Sequence, residues 1–234
     1  MNRHYLVESD TIHVKIPSGH AKVDIYWPNS ATPAPLVIIA HGFSRHRRNM
    51  AGWGQHLANE GFVAVVPNLP AWANHARNGR FISELCAYFC ANDAWKSRID
   101  SSQLGLVGFS AGGLSTLLSA ADNTGVIIWI GLDPVDHSGL GAKVAPLITC
   151  RTVVLTANPS ACNAHGNADD IIATLPRCEH VSVTGAVHID AEWPTSWLAE
   201  RFCGRSTDER RSEFCQHATA ALRETLLPMP SDTL

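Results

Sequence analysis

Leu104-Gly105-Leu106-Val107-Gly108-Phe109-Ser110-Ala111-Gly112-Gly113 runs from an apolar stretch straight into a serine bracketed by glycines. The apolar part has the composition of a buried strand, and the small residues from Ala111 onward begin a helix. Between them, Gly108-Phe109-Ser110-Ala111-Gly112 fits G-x-S-x-G in the strand-turn-helix context that this motif requires. A serine at so sharp a junction takes strained backbone angles. Side chains at the flanking glycines would collide with the neighbouring strand and helix. The turn lifts the hydroxyl above the sheet edge and aims a helix N-terminus at it, where partial positive charge favours an oxyanion. The same letters could form a Gly/Ser turn without chemistry; the strand before and the helix after argue for the reactive reading.

On both sides of this junction, strand and helix patterns alternate. Residues 11–16 and 21–27 alternate apolar and polar side chains and read as an antiparallel pair. Strands are expected at 35–40, a continuous apolar run, and at 62–67, 104–109, 126–133, 152–157 and 180–185; alternating with helices, they indicate a mostly parallel sheet covered on both faces. Helices are expected at 49–60, stopped by Gly61, at 78–97 with Phe81, Leu85, Tyr88 and Phe89 on one stripe, from Ala111, at 168–175 and at 207–226. The fold class is therefore α/β: a mostly parallel twisted sheet with helices on both faces, no large cap domain, and one domain over 1–234 with a loose tail at 227–234.

Composition narrows the function classes. The 234 residues are 45% hydrophobic and 17% charged, with a net charge of −3, so no basic field advertises nucleic acid. The run Arg45-His46-Arg47-Arg48 is the one basic cluster of note, read as a solvated loop or an attractor of anionic substrate. No apolar segment is long enough to span a bilayer. The N-terminus as written lacks an export signal, so a cytoplasmic protein is expected. The seven cysteines contain no C-x-x-C, and free thiols are expected, with a bridge such as Cys203 to Cys215 as the alternative. Oligomeric state is left open.

A serine on such an elbow takes its partners downstream, in the order Ser, acid, His, from the C-terminal ends of strands. His188 lies just past the strand 180–185, beside Gly185 and Ala186, and is the candidate base. His137 and His165 are weaker candidates, His180 begins a strand, and His217 falls inside a helix. The strand 152–157 is followed by Asn158-Pro159-Ser160, with no carboxylate until Asp169. The acid must then come from the preceding strand end: Asp133, with Asp136 as the alternative. For the oxyanion hole, one N–H is expected from Ala111 and one from Phe43, with Gly42 letting that backbone approach. His41 reads as a hydrogen-bonding buttress for this loop. Gly42, Phe43 and Trp72 are candidate substrate contacts, whereas Trp129 reads as core.

Other clusters carry less. Cys162-x-x-His165 and Cys178-x-His180 fit no common zinc template, so no metal or cofactor is expected. Asp190 and Glu192, just beyond His188, read as solvated or as props for its loop.

Gly108–Gly112, Leu132-Asp133-Pro134 and Gly185-Ala186-Val187-His188 together resemble the chlorophyllase and platelet-activating-factor acetylhydrolase branch of the α/β-hydrolases. GLDPVDHSG at 131–139 is similar to a segment of plant chlorophyllases. Residues 41–70 and 158–167 resemble bacterial α/β-hydrolases of that group. Dienelactone hydrolases and cutinase-like polyesterases share the compact plan. The resemblance covers roughly residues 20–200 and implies ester hydrolysis without a metal, on a small-molecule ester. Ala111 departs from the plant chlorophyllases, which typically carry Arg after the nucleophile. The rival readings are a catalytically silent α/β-hydrolase that binds a ligand or partner, and a thioesterase or peptidase on the same fold.

Overall fold

The computed structural model describes residues 4–227. The chain opens with a hairpin, β1 (Val7–Ile16) and β2 (Gly19–Pro28), and continues β3 (Ala34–Ala40), α1 (Ala51–Asn59), β4 (Val63–Pro67), α2 (His75–Ala91), β5 (Ile99–Phe109) and α3 (Ala111–Asp122). Then follow β6 (Val126–Leu132), α4 (Leu140–Val144), β7 (Arg151–Thr156), α5 (Ala168–Thr174), β8 (Glu179–Ser182), α6 (Trp197–Cys203) and α7 (Asp208–Leu226). The eight strands form one sheet in the order β1-β2-β4-β3-β5-β6-β7-β8. β1, β2 and β4 pair antiparallel, and every pairing from β4 through β3 to β8 is parallel. This is the α/β architecture expected, with only α4 and a short 3₁₀ turn between β6 and β7.

Side-chain alternation sorts the apolar strands into two cores. In β3, Leu36, Ile38 and Ala40 join the core on one face, with Phe81, Leu85 and Leu117 from α2 and α3. Val37 and Ile39 face the other way, onto Trp53 and Leu57 of α1 and Phe214 and Leu222 of α7. A run without polar residues is what a strand covered on both faces needs. Trp129 is wholly buried, as its place in the core demands, and its indole N–H donates to Thr116 Oγ1 at 2.9 Å. No helix among the described residues is long and apolar enough to cross a membrane.

Several boundaries differ from the sequence expectation. α2 starts at His75 because the Asn74 side chain accepts the Arg77 N–H, an N-cap. It ends at Ala91, where Asn92 turns to extended angles. β5 begins at Ile99 rather than 104, since Ile99 and Asp100 pair with Ala34 and Pro35; the polar residues 100–103 disguise this first part. β8 ends at Ser182, the last residue to pair with β7. From residue 228 onward the expected loose tail lies outside the described residues.

The cysteine expectation holds for five thiols, Cys86, Cys90, Cys150, Cys178 and Cys215, and is corrected for the other two. Cys162 and Cys203 form a disulfide across 41 residues, with Cα atoms 5.7 Å apart. Cys215 is buried with a free thiol inside the α7 core face, so it is no partner for Cys203. The bridge joins the loop after β7 to the end of α6. The Cys162→Ser/Cys203→Ser variant is expected to lose about 2–4 kcal/mol of stability, the entropy of closing such a loop. Denaturant unfolding measures this, and peptide mapping without reductant should recover residues 162 and 203 in one linked fragment.

Candidate active site

Ser110 joins β5 to α3 with φ 54° and ψ −126°, a conformation that persists only where its surroundings enforce it. Its N–H donates to Leu132 O at 3.1 Å, and its carbonyl accepts from Gly113 N at 2.8 Å and Val135 N at 3.1 Å. The elbow is thereby bolted to the end of β6. A Cβ on Gly112 would strike the carbonyl oxygens of Ala40 and His41, and one on Gly108 would strike Thr116 Oγ1 and the Gly112 carbonyl. Both glycines are required by close approach.

Adjacent strands place the partners. β6 neighbours β5 and ends at Leu132, so Asp133 emerges beside Ser110. His188 opens a short 3₁₀ turn, His188–Ala191, after the strand β8. Its Nε2 lies 2.9 Å from Ser110 Oγ and its Nδ1 2.6 Å from Asp133 Oδ2. An ionised carboxylate only accepts, so Nδ1 carries the proton and Nε2 is left to accept from the serine hydroxyl. The three residues are buried, with Asp133 1% exposed. The Phe109 ring packs on the His188 ring with centroids 4.8 Å apart.

Asp133 accepts further bonds: Ala157 N–H to Oδ1 at 3.0 Å and Asn163 Nδ2 to Oδ2 at 3.0 Å. Asp136 does something else. Its two oxygens accept the N–H groups of Gly141 and Ala142 at 2.7 and 3.1 Å, capping the start of α4. Asn163 is a site residue that the sequence reading missed. It sits in the loop after β7, the position left without a carboxylate, and its amide also donates to Asn158 O at 3.0 Å. The other candidate bases are elsewhere: His180 Nε2 meets Thr156 Oγ1 at 2.9 Å, and His137, His165 and His217 are exposed. Cys162, which the sequence offered beside His165, is committed to the disulfide.

The two segments expected to supply the oxyanion amides meet beside Ser110: Ala111, first residue of α3 and so without an intrahelical N–H acceptor, and the loop after β3. A Cβ on Gly42 would lie 3.1 Å from Ser110 Cβ and the Phe109 ring, so this backbone abuts the elbow. His41 secures it. Leu69 N–H donates to His41 Nε2 at 3.0 Å, which leaves Nδ1–H to donate to Gly42 O at 2.8 Å. Arg45 N–H also donates to Gly42 O, at 3.3 Å. Carbonyl and amide of a trans peptide point opposite ways, so anchoring Gly42 O sets the direction of the Phe43 N–H.

The residues read as solvated are partly built in. Asp190 and Glu192 are both fully buried. Asp190 accepts from Val187 N at 2.8 Å, Thr207 N at 2.9 Å and Arg210 Nε at 2.6 Å. Arg45 pairs with Glu192 at 2.9 Å and Arg47 with Asp24 at 2.8 Å, whereas His46 and Arg48 are exposed. A buried ion has to be paired, and a linear reading does not reveal such pairs.

The Phe43 and Trp72 rings stack at 4.8 Å and stand 45% and 73% exposed. They border a cleft of about 60 Å³ shared with Gly42, His75 and Ala111. A larger cavity, about 570 Å³, opens where β3 and β5 begin and has no histidine in its lining; Ser110 is at the opposite strand ends.

Burial lowers the His41 imidazole to about 4, against a smaller upward pull from its bond to Gly42 O. Its unfolded value is about 6.5, so the unfolded chain binds the extra proton between pH 6.5 and 4. Stability held above pH 6.5 is therefore lost as pH falls through that window, by about 3 kcal/mol for this group. Unfolding free energies across pH 4–7 should show this slope, and His41→Gln should remove its share.

The PETase family model, described as PET hydrolase-like, matches residues 2–224. The chain is 26% identical over 214 residues to bis(hydroxyethyl) terephthalate hydrolase of Streptomyces coelicolor, covering 87% of this chain and 69% of that one. It is 29% identical over 194 residues to cutinase 2 of Thermobifida cellulosilytica, covering 78% and 74%. It is 23% identical over 221 residues to a cutinase of Thermobifida fusca, covering 87% and 71%. With its mostly parallel sheet and its elbow serine, the chain belongs to the PET hydrolase-like family and is a carboxylic ester hydrolase of the α/β-hydrolase type.

Proposed function

We propose that Ser110 is the nucleophile, His188 the base and Asp133 the residue that orients it, acting on esters with accessible carbonyls. The observation that carries this is the buried relay from Ser110 Oγ through His188 to Asp133, at 2.9 and 2.6 Å. His188 Nε2 takes the hydroxyl proton as Oγ attacks the ester carbon. The amides of Phe43 and Ala111 hold the oxyanion. The ester oxygen leaves with the proton from His188, and an acyl-enzyme remains. His188 then deprotonates water, which attacks the acyl carbon; the acid leaves, and His188 returns the proton to Ser110 Oγ.

The stacked, exposed Phe43 and Trp72 at the cleft support an aromatic acyl or alcohol group, and bis(hydroxyethyl) terephthalate, named for one relative, is an ester of this kind. The acid directly after β6, 23 residues past the serine and 55 before the histidine, supports a chlorophyllase-like lineage within the esterases. A silent binding protein would have no need of a serine hydroxyl engaged by an oriented imidazole.

A p-nitrophenyl ester series from acetate to long acyl chains, run beside bis(hydroxyethyl) terephthalate, tests this reading. Ser110→Ala is expected to lower kcat by roughly 10⁴-fold or more, and Asp133→Asn by about 10⁴-fold. Asp136→Asn should keep kcat and lose only about 1 kcal/mol of stability with the α4 cap. Full hydrolysis by Ser110→Ala would overturn the assignment. Trp72→Ala should raise KM for the terephthalate ester more than for p-nitrophenyl acetate.

A further inference from the structure

Glu192 is fully buried, four residues past His188, and the established chemistry has no use for it. Its Oε2 accepts from Arg45 Nε at 2.9 Å, across 147 residues of chain, and its Oε1 has no hydrogen-bond partner among the described residues. Arg45 sits two residues past Phe43 and closes the turn whose Gly42 carbonyl it also binds through its N–H. The pair thus connects the loop offering the Phe43 amide to the loop bearing His188. The base loop is strapped further back as well. Trp193 N–H donates to Asn49 O, Gly52 N–H to Trp193 O, both at 3.0 Å, and Trp53 Nε1 to Ala191 O at 2.9 Å. Those bonds hold residues 191–193 to the start of α1 and leave the turn 42–45 to be located by its own contacts. Ser44 in that turn has φ 54°, so the turn is not one the backbone adopts by preference.

We propose that Arg45 and Glu192 are a positioning couple that sets the oxyanion amide of Phe43 against the base His188. The proposal rests on the reading of Ser110 and His188 given above. Burial pushes the Glu192 carboxyl up and the Arg45 guanidinium beside it opposes that, so separating the pair is costly and the arginine side chain, and with it the turn, is held to one place. The Phe43 amide acts on charge that develops only in the transition state. A turn that drifts by a fraction of an ångström loses rate and keeps ground-state binding.

The test uses p-nitrophenyl acetate with the full chain and four proteins: wild type, Arg45→Lys, Arg45→Met and Arg45→Met/Glu192→Gln. Arg45→Met strands a buried carboxylate and is expected to melt on the order of 10 °C lower, with kcat down about tenfold to a hundredfold. The double variant has no stranded charge. Its melting temperature should return to within a few degrees of wild type, while kcat stays at least about tenfold down and KM within about threefold. Arg45→Lys should recover part of the rate, because it keeps the charge without the planar fork. A double variant with kcat within about twofold of wild type would overturn the proposal and leave the pair a fold contact only. A loss expressed mainly in KM would overturn it too. If Arg45→Met does not fold, the double variant and Arg45→Lys still decide. An inactive wild type would instead count against the reading of Ser110, a result distinguishable from failure of the couple.

Discussion

Ser110 is held at φ 54° between β5 and α3, and most of the site follows from what enforces that angle. The strain is of the order of 1–3 kcal/mol, offset by the hydrogen bonds of the elbow to Leu132, Gly113 and Val135 and by the contact of bare glycine backbone with β3. Because two of those bonds run to the end of β6, Ser110 and Asp133 are fixed relative to each other by main chain. Asp133 is itself left-handed, at φ 43°. Ser110 is locked by the segment at the end of β6 and Asp133 by the Leu155 carbonyl of β7, which leaves His188 as the group whose ring orientation had to be supplied from elsewhere.

That supply comes from both sides of the base. Asn163 and Ala157 hold the Asp133 carboxylate, so its lone pair meets His188 Nδ1 in a defined direction. The loop after β7 thus contributes an amide where it lacks an acid, and it is tied to α6 by the Cys162–Cys203 bridge. On the other side, Asp190 anchors its own turn to α7 through Arg210, and Glu192 reaches Arg45. The buried charges around His188 act chiefly as fasteners for short irregular segments, which lack the ladder of hydrogen bonds that fixes a strand.

The loop after β3 shows the same economy. His41 stays neutral because burial disfavours its charge, and a neutral imidazole can accept from Leu69 and donate to Gly42 at once. A protonated ring would lose the first of these. The anchoring of the Gly42–Phe43 peptide plane is therefore linked to the protonation of the buried His41.

The linear sequence by itself determined the elements with local signatures. The elbow is legible because glycine spacing and the strand-to-helix switch lie within ten residues. The two-faced sheet is legible because continuous apolar runs have no other stable use. Asp133 and His188 can be picked out because each follows a strand end. What only the tertiary structure decided are contacts between loops that meet at one sheet edge from distant parts of the chain. The strand end favours Asp133 over Asp136, and the folded chain decides it by turning the first toward His188 and the second onto α4. Asn163 lies 30 residues from Asp133, Cys162 lies 41 from Cys203, and Arg45 lies 147 from Glu192. Such pairs have no periodicity to announce them. They exist because the strand order gathers the ends of β3, β6, β7 and β8 around Ser110, and because buried charge and buried amide groups must then find partners among whatever has been brought there.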